Sequence, residues 1–327
     1  MKFKKLITLM ALTLLFTSTA AARTINIGSS NPGSITHSTC SAIAKLIAEE
    51  LKIQTRVQPH GGQSAFVPAV NAGEVDFGAS NVYELVDALA GTGIYKGQLL
   101  NDLRAVAILM PLRTALWVAK DSPIKSINDL KGKRVPGRWT SQKIIRYLAT
   151  GWLANGGLTY DDVKMVPVAN VNRAADDFIQ GKVDTFFFAV GSGKVREAGA
   201  KVGGLRALPL DTSPEAVARF RKHMPVIYPM LVQPSNANYG IIEPTYISAV
   251  DFVFITNKNV PDDLIYNVTK ALYGGKKALF ASFKPLGALF SPEKMAKILP
   301  AGEYHPGAIK FYEEVGLWPP KEKVVPD

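Results

Sequence analysis

The chain has 327 residues, of which 47% are hydrophobic and 20% are charged, with a mean hydropathy of +0.08. The apolar fraction is too high for a disordered or collagen-like chain and too low for a polytopic membrane protein. The length exceeds what one core usually supports, about 100 to 150 residues, so we expect two lobes. The single cysteine, Cys40, excludes an internal disulfide.

The first 22 residues have the three-part pattern of a secretory leader. Three lysines within the first five residues precede an apolar run over residues 6–16, and small residues follow it. The run is shorter than the roughly 20 residues that a membrane span needs, and Ala20 and Ala22 fit a cleavage site. We predict cleavage after Ala22 and export across the inner membrane to the periplasm. Cys40 lies too deep to serve as a lipoprotein anchor.

Removal of this leader leaves 35 basic and 27 acidic residues, a formal charge of +8. The basic residues are scattered, and Lys131, Lys133 and Arg134 form a typical short group. This pattern does not indicate a nucleic acid partner. Two interpretations stay open, a solvated basic surface and attraction for a small anionic ligand.

Apolar periodicity predicts a first unit of alternating strands and helices. In chain order it has a strand at 24–30, a helix with an apolar stripe from Ile43 to Leu51, a strand at 54–59, a helix at 64–72 and a strand at 75–79. Strands joined by crossover helices pair in parallel. The pattern therefore indicates a βαβαβ unit.

A second unit repeats this order further along the chain, with a strand at 134–136, a helix at 142–155 and a strand at 163–168. Pro59 and Pro167 close equivalent strands of the two units. The strings Gly-Glu-Val-Asp at 73–76 and Gly-Lys-Val-Asp at 181–184 are separated by the same interval as these prolines. The repetition predicts two similar α/β lobes, each with a parallel-rich sheet built on βαβ units.

Two extended stretches, residues 104–120 and 245–257, are expected to cross between the lobes as hinge strands. This gives a first lobe over residues 23–112 and a second over 113–240. Residues 241–327 then supply the return strand and C-terminal helices that pack on the first lobe.

Ligands of parallel α/β sheets bind beyond the carboxyl ends of the strands, where helix N-termini present unpaired N–H groups. The first loop of each unit, residues 29–37 and 137–141, occupies this position. We expect the strand ends at 80–81 and 189–192 to lie at equivalent depth in the two sheets. We therefore expect the site in the cleft between the lobes. The candidate ligand-binding residues are Ser29, Ser30, Ser34, Thr36, His37, Asn81, Arg138, Trp139, Thr140, Ser141, Gly191 and Ser192.

Arg138 and Trp139 are unusual residues for such a loop. A guanidinium pairs bidentately with a carboxylate and an indole stacks on a flat ligand, so together they suit an organic carboxylate. In the alternative interpretation, Trp139 packs under the loop and Arg138 points to water.

Motifs for catalysis and cofactors are weak in this sequence. It contains no GxSxG, HExxH or CxxC string, and Gly-Ser-Gly-Lys at 191–194 lacks two residues of a phosphate-binding loop. His37 and Cys40 are too few to hold a metal. We therefore expect a protein that is not an enzyme and that has no cofactor and no metal site.

Further strings carry a family resemblance over nearly the whole mature chain. They are Ile27-Gly28 before a Gly/Ser-rich loop, Gly61-Gly62, the residues at 73–77, Gly-Leu-Thr-Tyr-Asp-Asp-Val at 157–163 and His-Pro-Gly-Ala-Ile-Lys-Phe-Tyr at 305–312. In these strings the chain resembles the TAXI family, the substrate-binding proteins of TRAP (tripartite ATP-independent periplasmic) transporters. The resemblance implies a two-lobed, type II-like periplasmic-binding-protein fold. It also implies capture of a small organic anion and delivery to TRAP membrane subunits.

Both ligand-facing loops depart from the family pattern. Residues 35–37 read Ile-Thr-His where the family often has Thr-Tyr-Tyr, and residues 137–140 read Gly-Arg-Trp-Thr in place of Gly-Ser-Gly-Thr. The resemblance therefore supports the transport role better than it supports a glutamate-like ligand. Two alternatives stay open, a binding protein of an ATP-driven importer and an exported enzyme on the same scaffold.

Overall fold

The computed structural model describes residues 23–325, so the predicted leader lies outside the described residues. Over this range the chain forms ten strands. They are β1 Ile25–Ser29, β2 Thr55–Pro59, β3 Phe77–Asn81, β4 Leu103–Ala119, β5 Arg134–Arg138, β6 Lys164–Val168, β7 Phe186–Ala189, β8 Leu205–Ala207, β9 Tyr228–Val232 and β10 Thr245–Asn257.

Eleven α-helices alternate with these strands within residues 23–325 and continue after the last one. They are α1 Ile35–Leu51, α2 Gln63–Asn71, α3 Val82–Ala90, α4 Ile145–Asn155, α5 Val171–Ile179, α6 Gly193–Lys201, α7 Pro214–Arg221, α8 Asp262–Gly274, α9 Lys276–Ser282, α10 Lys284–Leu289 and α11 Pro306–Glu314. None of the described helices is long and apolar enough to cross a membrane.

Eight strands form one mixed sheet with the order β2-β1-β3-β10-β4-β7, to which β8 adds on β4 and β9 adds on β10. Strand β1 pairs in parallel with β2 and β3, as the first βαβαβ unit predicts. Strand β10 pairs antiparallel with both β3 and β4. The first lobe is therefore completed by a strand from late in the chain.

The long strands β4 and β10 connect the two lobes, which confirms the predicted crossing strands. They pair antiparallel from Leu103 and Asn257 at one end to Thr114 and Ser248 at the other. Beyond this ladder, β4 pairs with β7 and β8, and β10 pairs with β9. The observed strand bounds lie at or next to the ends of the predicted stretches.

The second unit departs from the first in its third strand. Strands β5 and β6 pair in parallel as a separate two-stranded sheet, but β7 pairs antiparallel with β4. All residues of β7 are buried, and the indole Nε1 of Trp117 on β4 donates to the carbonyl of Phe188 at 3.0 Å. The apolar crossing strand is thus the partner of β7, and the two sheets that we expected from the repeat are not separate.

The C-terminal helices pack on the first lobe, where α8 and α9 contact α1 and α11 contacts α8. Close approach of α11 to α8 requires a glycine at position 307, because an added Cβ would collide with the carbonyl of Asp262. The buried side chain of His305 caps α11, and its Nδ1 accepts a hydrogen bond from the N–H of Gly307 at 3.2 Å.

Candidate functional site

A small cavity of about 40 Å³ lies between the first lobe and the second. On one side its wall comes from the loop after β1, the first turn of α1, the first residue of α2, and Asn81 at the end of β3. On the other side the wall comes from α4, the start of α5 and β7, and β4 passes between the two. Its polar lining residues are Ser30, Ser34, Thr36, Gln63, Asn81, Thr114 and Gln142. Its apolar lining residues are Ile35, Leu112, Ile145, Leu148, Val171, Phe187, Phe188 and Ala189.

Five helices begin at this cavity, namely α1, α2, α3, α4 and α5. Ser34 caps α1, and its Oγ accepts a hydrogen bond from the N–H of His37 at 3.1 Å. Asn81 caps α3, and its Oδ1 accepts from the N–H of Glu84 at 2.8 Å. Helix N-termini carry partial positive charge and unpaired N–H groups, so this convergence favours an anion.

Two amide side chains of the cavity wall are fixed by their oxygen atoms. The Oε1 of Gln63 accepts from Asn81 Nδ2 at 2.7 Å, and the Oε1 of Gln142 accepts from the N–H of Val171 at 3.2 Å. The Nε2 groups of Gln63 and Gln142 have no partner within residues 23–325. Both amides therefore keep donors available at the cavity.

The hydroxyl of Ser30 lines the cavity and is buried without a hydrogen-bond partner in the described part of the chain. A buried polar group left unpaired destabilises a folded protein by about 1 to 3 kcal/mol. A ligand that pairs with the Ser30 Oγ would remove this penalty.

The two lobes touch each other around the cavity. Asn172 Nδ2 donates to the carbonyl of Pro32 at 3.0 Å, and the N–H of Lys194 donates to the carbonyl of Gly33 at 3.3 Å. At the start of α2, a Cβ added to Gly62 would lie 2.7 Å from the Cγ of Gln142. These contacts join opposite walls of the cleft, so the structure has the closed arrangement.

A buried carboxyl group stands behind the cavity wall. Glu84 is fully buried, its Oε1 accepts from the hydroxyl of Tyr95 at 2.9 Å, and its Oε2 lies 3.5 Å from Asn81 Nδ2. Burial raises the pKa of Glu84 to about 7, and burial also raises the pKa of the neighbouring Asp87. The capping residue Asn81 thus links the cavity to a group that titrates near neutrality.

Of the residues that the sequence indicated, Ser30, Ser34, Thr36 and Asn81 lie on the cavity wall. Ser29 and His37 stand behind them, where Ser29 Oγ and His37 Nδ1 are hydrogen-bonded at 3.1 Å. Burial lowers the pKa of His37. This pair holds the loop that carries the lining residues.

The residues from Arg138 to Ser141 do not line the cavity. Positive φ angles of 65° at Arg138 and 51° at Trp139 turn the chain so that the indole points inward. Trp139 is 1% exposed, and its Nε1 donates to the hydroxyl of Tyr160 at 3.4 Å. Arg138 and Thr140 are exposed, and the hydroxyl of Ser141 donates to the carbonyl of Ala169. The indole packs under the loop, which is the alternative considered above.

Gly191 and Ser192 also lie away from the cavity wall. Gly191 faces Pro285, whose Cγ would be 3.2 Å from an added Cβ. Ser192 precedes α6 and is buried, and its hydroxyl has no partner among the described residues.

Sequence reasoning missed Gln63, Thr114, Gln142, Phe187 and Phe188, all of which line the cavity. One signal was available for the first of them. Gln63 follows the Gly-Gly pair after β2 and is the first residue of α2, so it lies where a strand ends and a helix begins, as the predicted loops do. The equivalent residue of the second unit is Val171, the first residue of α5. Thr114, Phe187 and Phe188 become neighbours through the pairing of β4 with β7, and Gln142 reaches the first lobe only where the lobes meet.

Known structures share this architecture. One described as a periplasmic transporter aligns over 91% of this chain and 94% of its own, with a TM-score of 0.59 and 16% identity. The alkanesulfonate-binding protein SsuA from Xanthomonas axonopodis pv. citri, bound to MOPS, aligns over 92% and 96%, with a TM-score of 0.50 and 16% identity. An amino acid ABC transporter substrate-binding protein from Streptococcus pneumoniae, bound to L-arginine, aligns over 82% and 97%, with a TM-score of 0.50 and 15% identity. These similarities confirm the two-lobed periplasmic-binding-protein fold.

A sequence profile described as the NMT1-like family matches residues 27–316. The match runs from β1 to just beyond α11 and contains every residue that lines the cavity. The chain belongs to the NMT1-like family.

Proposed function

We propose that the protein is a periplasmic solute-binding protein that captures a small organic anion, a carboxylate or an amino acid, and delivers it to a membrane transporter. One observation carries this proposal: a cavity closed between two lobes, at which five helices begin. Hydroxyl, amide and backbone N–H groups orient a ligand without strong chemistry, so the site favours reversible binding over catalysis.

The donors at the cavity favour an anion over a cation. The hydroxyl of Ser30 and the Nε2 groups of Gln63 and Gln142 are unpaired, and each can donate to a ligand oxygen. The lining residues include no carboxylate that would repel an anion. Each hydrogen bond to a charged ligand contributes about 1.5 to 3 kcal/mol to the binding free energy, so these three donors together would contribute several kcal/mol.

Closure of the lobes is the step that would couple binding to delivery. The bonds from Asn172 to Pro32 and from Lys194 to Gly33 join the two lobes and depend on the closed arrangement. A ligand that touches both walls shifts the equilibrium toward this state. A membrane subunit that binds the closed form would then receive the loaded protein.

Two kinds of membrane partner are supported by different observations. The strings described above resemble the TAXI family and favour TRAP subunits. A substrate-binding protein of an amino acid ABC transporter has a similar fold and favours an ATP-driven importer. Neighbouring genes distinguish them, because they would encode either TRAP membrane subunits or an ATPase.

A thermal-shift screen after unfolding and refolding, to remove carried-over ligand, tests the proposal. The panel contains carboxylates, amino acids and sulfonates. A ligand at about 100 times its Kd stabilises the folded protein by roughly 2.7 kcal/mol. A protein that no member of the panel stabilises would contradict solute capture.

A matched pair of serine variants connects the ligand to this cavity. Ser30→Ala should lower the affinity for the solute identified in the screen about tenfold, because one hydrogen bond to the ligand is lost. Ser80 is the control, since its hydroxyl is also buried without a partner in the described residues but does not line the cavity. Equal affinities of the Ser30→Ala and Ser80→Ala variants would place the ligand elsewhere.

A further inference from the structure

The main sheet is narrowest where it passes from one lobe to the other. Strand β10 pairs with β9 up to Ala249 and with β3 from Phe252 onward, and β4 begins to pair with β7 at Thr114. In the described part of the chain, the pair of Asp251 and Pro111 lies between these points, where the sheet is only two strands wide. Two-stranded ribbons twist more than wider sheets. We therefore locate the hinge between the lobes at this pair.

The carboxylate of Asp251 is hydrogen-bonded to both lobes at this hinge. Its Oδ1 accepts from the hydroxyl of Tyr228 at 2.9 Å, and its Oδ2 accepts from the Nζ of Lys297 at 2.7 Å. Tyr228 begins β9, which pairs with the second-lobe half of β10. Lys297 follows Met295, whose carbonyl accepts from the N–H of Ile108 in the first-lobe half of β4. We call the side chains of Tyr228, Asp251 and Lys297 the hinge bridge.

The hinge bridge is shielded from water and is anchored in the first lobe. The side chain of Asp251 is 0% exposed and that of Lys297 is 12% exposed. The hydroxyl of Tyr304 accepts from the N–H of Lys297 at 2.9 Å and lies 3.0 Å from its carbonyl oxygen, so it fixes the backbone of the lysine. Hydrogen bonds to a charged group are strong, and low exposure strengthens them further. The bridge therefore opposes a change in the relative orientation of the lobes.

The hinge bridge lies behind the cavity and not in its wall. Leu112 lines the cavity, and its cross-strand partner on β10 is Val250. Because side chains alternate along a strand, the neighbouring Asp251 points to the opposite face of the ribbon. The cavity lining includes none of the three residues of the bridge. Any effect of the bridge on a bound solute must therefore act through the position of the lobes.

We propose that the hinge bridge stabilises the closed arrangement and thereby sets how long a bound solute is retained. The carboxylate of Asp251 reaches both lobes at once in this arrangement, and rotation about the hinge changes the distance between Tyr228 and Lys297. The inference rests on the proposed function and makes Asp251 a positioning residue. The apparent affinity for a ligand scales with the fraction of molecules in the binding-competent state, so a closed fraction about tenfold lower weakens binding about tenfold.

The first test measures release of a solute. Tyr228→Phe removes one bond of the bridge and leaves Asp251 paired with Lys297. The matched control is Tyr312→Phe, because Tyr312 is buried and its hydroxyl donates to the carbonyl of Val106 within the first lobe at 2.6 Å. The probe is succinate, L-glutamate or methanesulfonate, whichever stabilises refolded wild type most.

In stopped-flow experiments, Tyr228→Phe should release the probe about ten times faster than wild type. The association rate should not change, because the bridge acts after the lobes have met. Tyr312→Phe should release the probe at the wild-type rate. Lys297→Met removes the other bond of the bridge and should act in the same direction as Tyr228→Phe, and circular dichroism confirms that each variant is folded.

The second test measures opening of the lobes without solute, by amide hydrogen exchange. The N–H of Lys194 donates across the cleft to the carbonyl of Gly33, whereas the N–H of Asn26 donates to Asp76 within the first lobe. In Tyr228→Phe, the amide of Lys194 should exchange about tenfold faster than in wild type, because more molecules are open. The amide of Asn26 should exchange at the same rate in both proteins.

Two results would overturn the inference. In one, Tyr228→Phe releases the probe at the wild-type rate. In the other, Tyr312→Phe accelerates release as much as Tyr228→Phe does. In both cases solute capture stands and the role of the hinge bridge fails. If no probe or panel solute stabilises wild type, solute capture fails, and the exchange of Lys194 decides on the bridge: faster exchange in Tyr228→Phe supports it, and equal exchange contradicts it.

Discussion

The carboxylate of Asp184 accepts a hydrogen bond from the backbone N–H of Arg134 at 2.7 Å, and the carbonyl of Arg134 accepts from the N–H of Asp184 at 2.9 Å. Asp76 and Asn26 make the same two bonds, at 2.8 and 2.9 Å, in the first lobe. The interval from position 26 to 134 equals the interval from 76 to 184. The sequence repeat thus corresponds to a structural one: in each unit the same two hydrogen bonds join the first strand to the aspartate that precedes the third strand.

Asp184→Asn should lower the free energy of unfolding by about 1 kcal/mol at neutral pH, because the partly exposed bond to the Arg134 side chain loses its charge. Hydrogen bonding from Arg134 lowers the pKa of Asp184. Its stabilising effect is therefore present above the unfolded pKa of about 4 and is lost as the pH falls through the lower folded value. Urea unfolding at several pH values measures this difference. The exposed Asp161→Asn variant is the control, and an equal loss there would contradict the prediction.

Glu84→Gln should be more stable than wild type by about 1 to 3 kcal/mol above pH 7. Burial raises the pKa of Glu84 to about 7, so the folded state holds a proton that the unfolded state releases near pH 4.3. Stability consequently falls as the pH rises between these values. Melting curves from acid to mildly basic pH test this, with the exposed Glu243→Gln as control. A difference that does not change with pH would exclude Glu84 as the group responsible.

Gly62→Ala should hinder closure of the lobes, because its Cβ would lie 2.7 Å from the Cγ of Gln142. We expect at least a tenfold loss of ligand affinity and a larger radius of gyration in small-angle X-ray scattering with ligand present. Gly61→Ala is a close control, since its nearest neighbour, the Cβ of Ser141, is at 3.5 Å. If the two variants close equally well, Gly62 has no special role.

Trp139→Ala should destabilise the protein by about 3 to 5 kcal/mol, the usual range for a large buried aromatic side chain. Arg138→Ala should change stability by no more than about 0.5 kcal/mol, because Arg138 is exposed. Neither should act directly on the ligand, since neither lines the cavity. Chemical denaturation and ligand titration of both variants check this. A specific loss of affinity in Arg138→Ala would restore it as a ligand-binding residue.

Local patterns in the sequence predicted the order of the elements well. Strand β10 has the predicted bounds, because it is a nearly continuous apolar run in which every residue except Tyr246 is buried. Boundaries failed where turns intervene. Strand β3 begins at Phe77 and not at residue 75, since the N–H of Val75 donates to the carbonyl of Ala69 in the turn after α2. Helix α4 begins at Ile145 and not at 142, because the residues before it form tighter turns, in which the N–H of Ile145 donates to the carbonyl of Gln142 three residues back.

The cavity was only partly predictable for a related reason. Ser34 and Asn81 cap helices, and capping residues can be identified from neighbouring residues alone. The contribution of Gln142 depends on how two lobes meet, and the orientation of Trp139 depends on the conformation of one loop.

The central position of β10 has a consequence for folding. This strand lies between β3 and β4, yet the whole chain from Ala119 to Thr245 separates it from β4 in the sequence. The first lobe therefore cannot complete its sheet until Asn257 has been synthesised. Pairing over such sequence distances makes folding slow, because the loop must close before the contacts form. The growing chain should thus stay unfolded until late in its synthesis, the state in which a secretory translocase accepts a polypeptide.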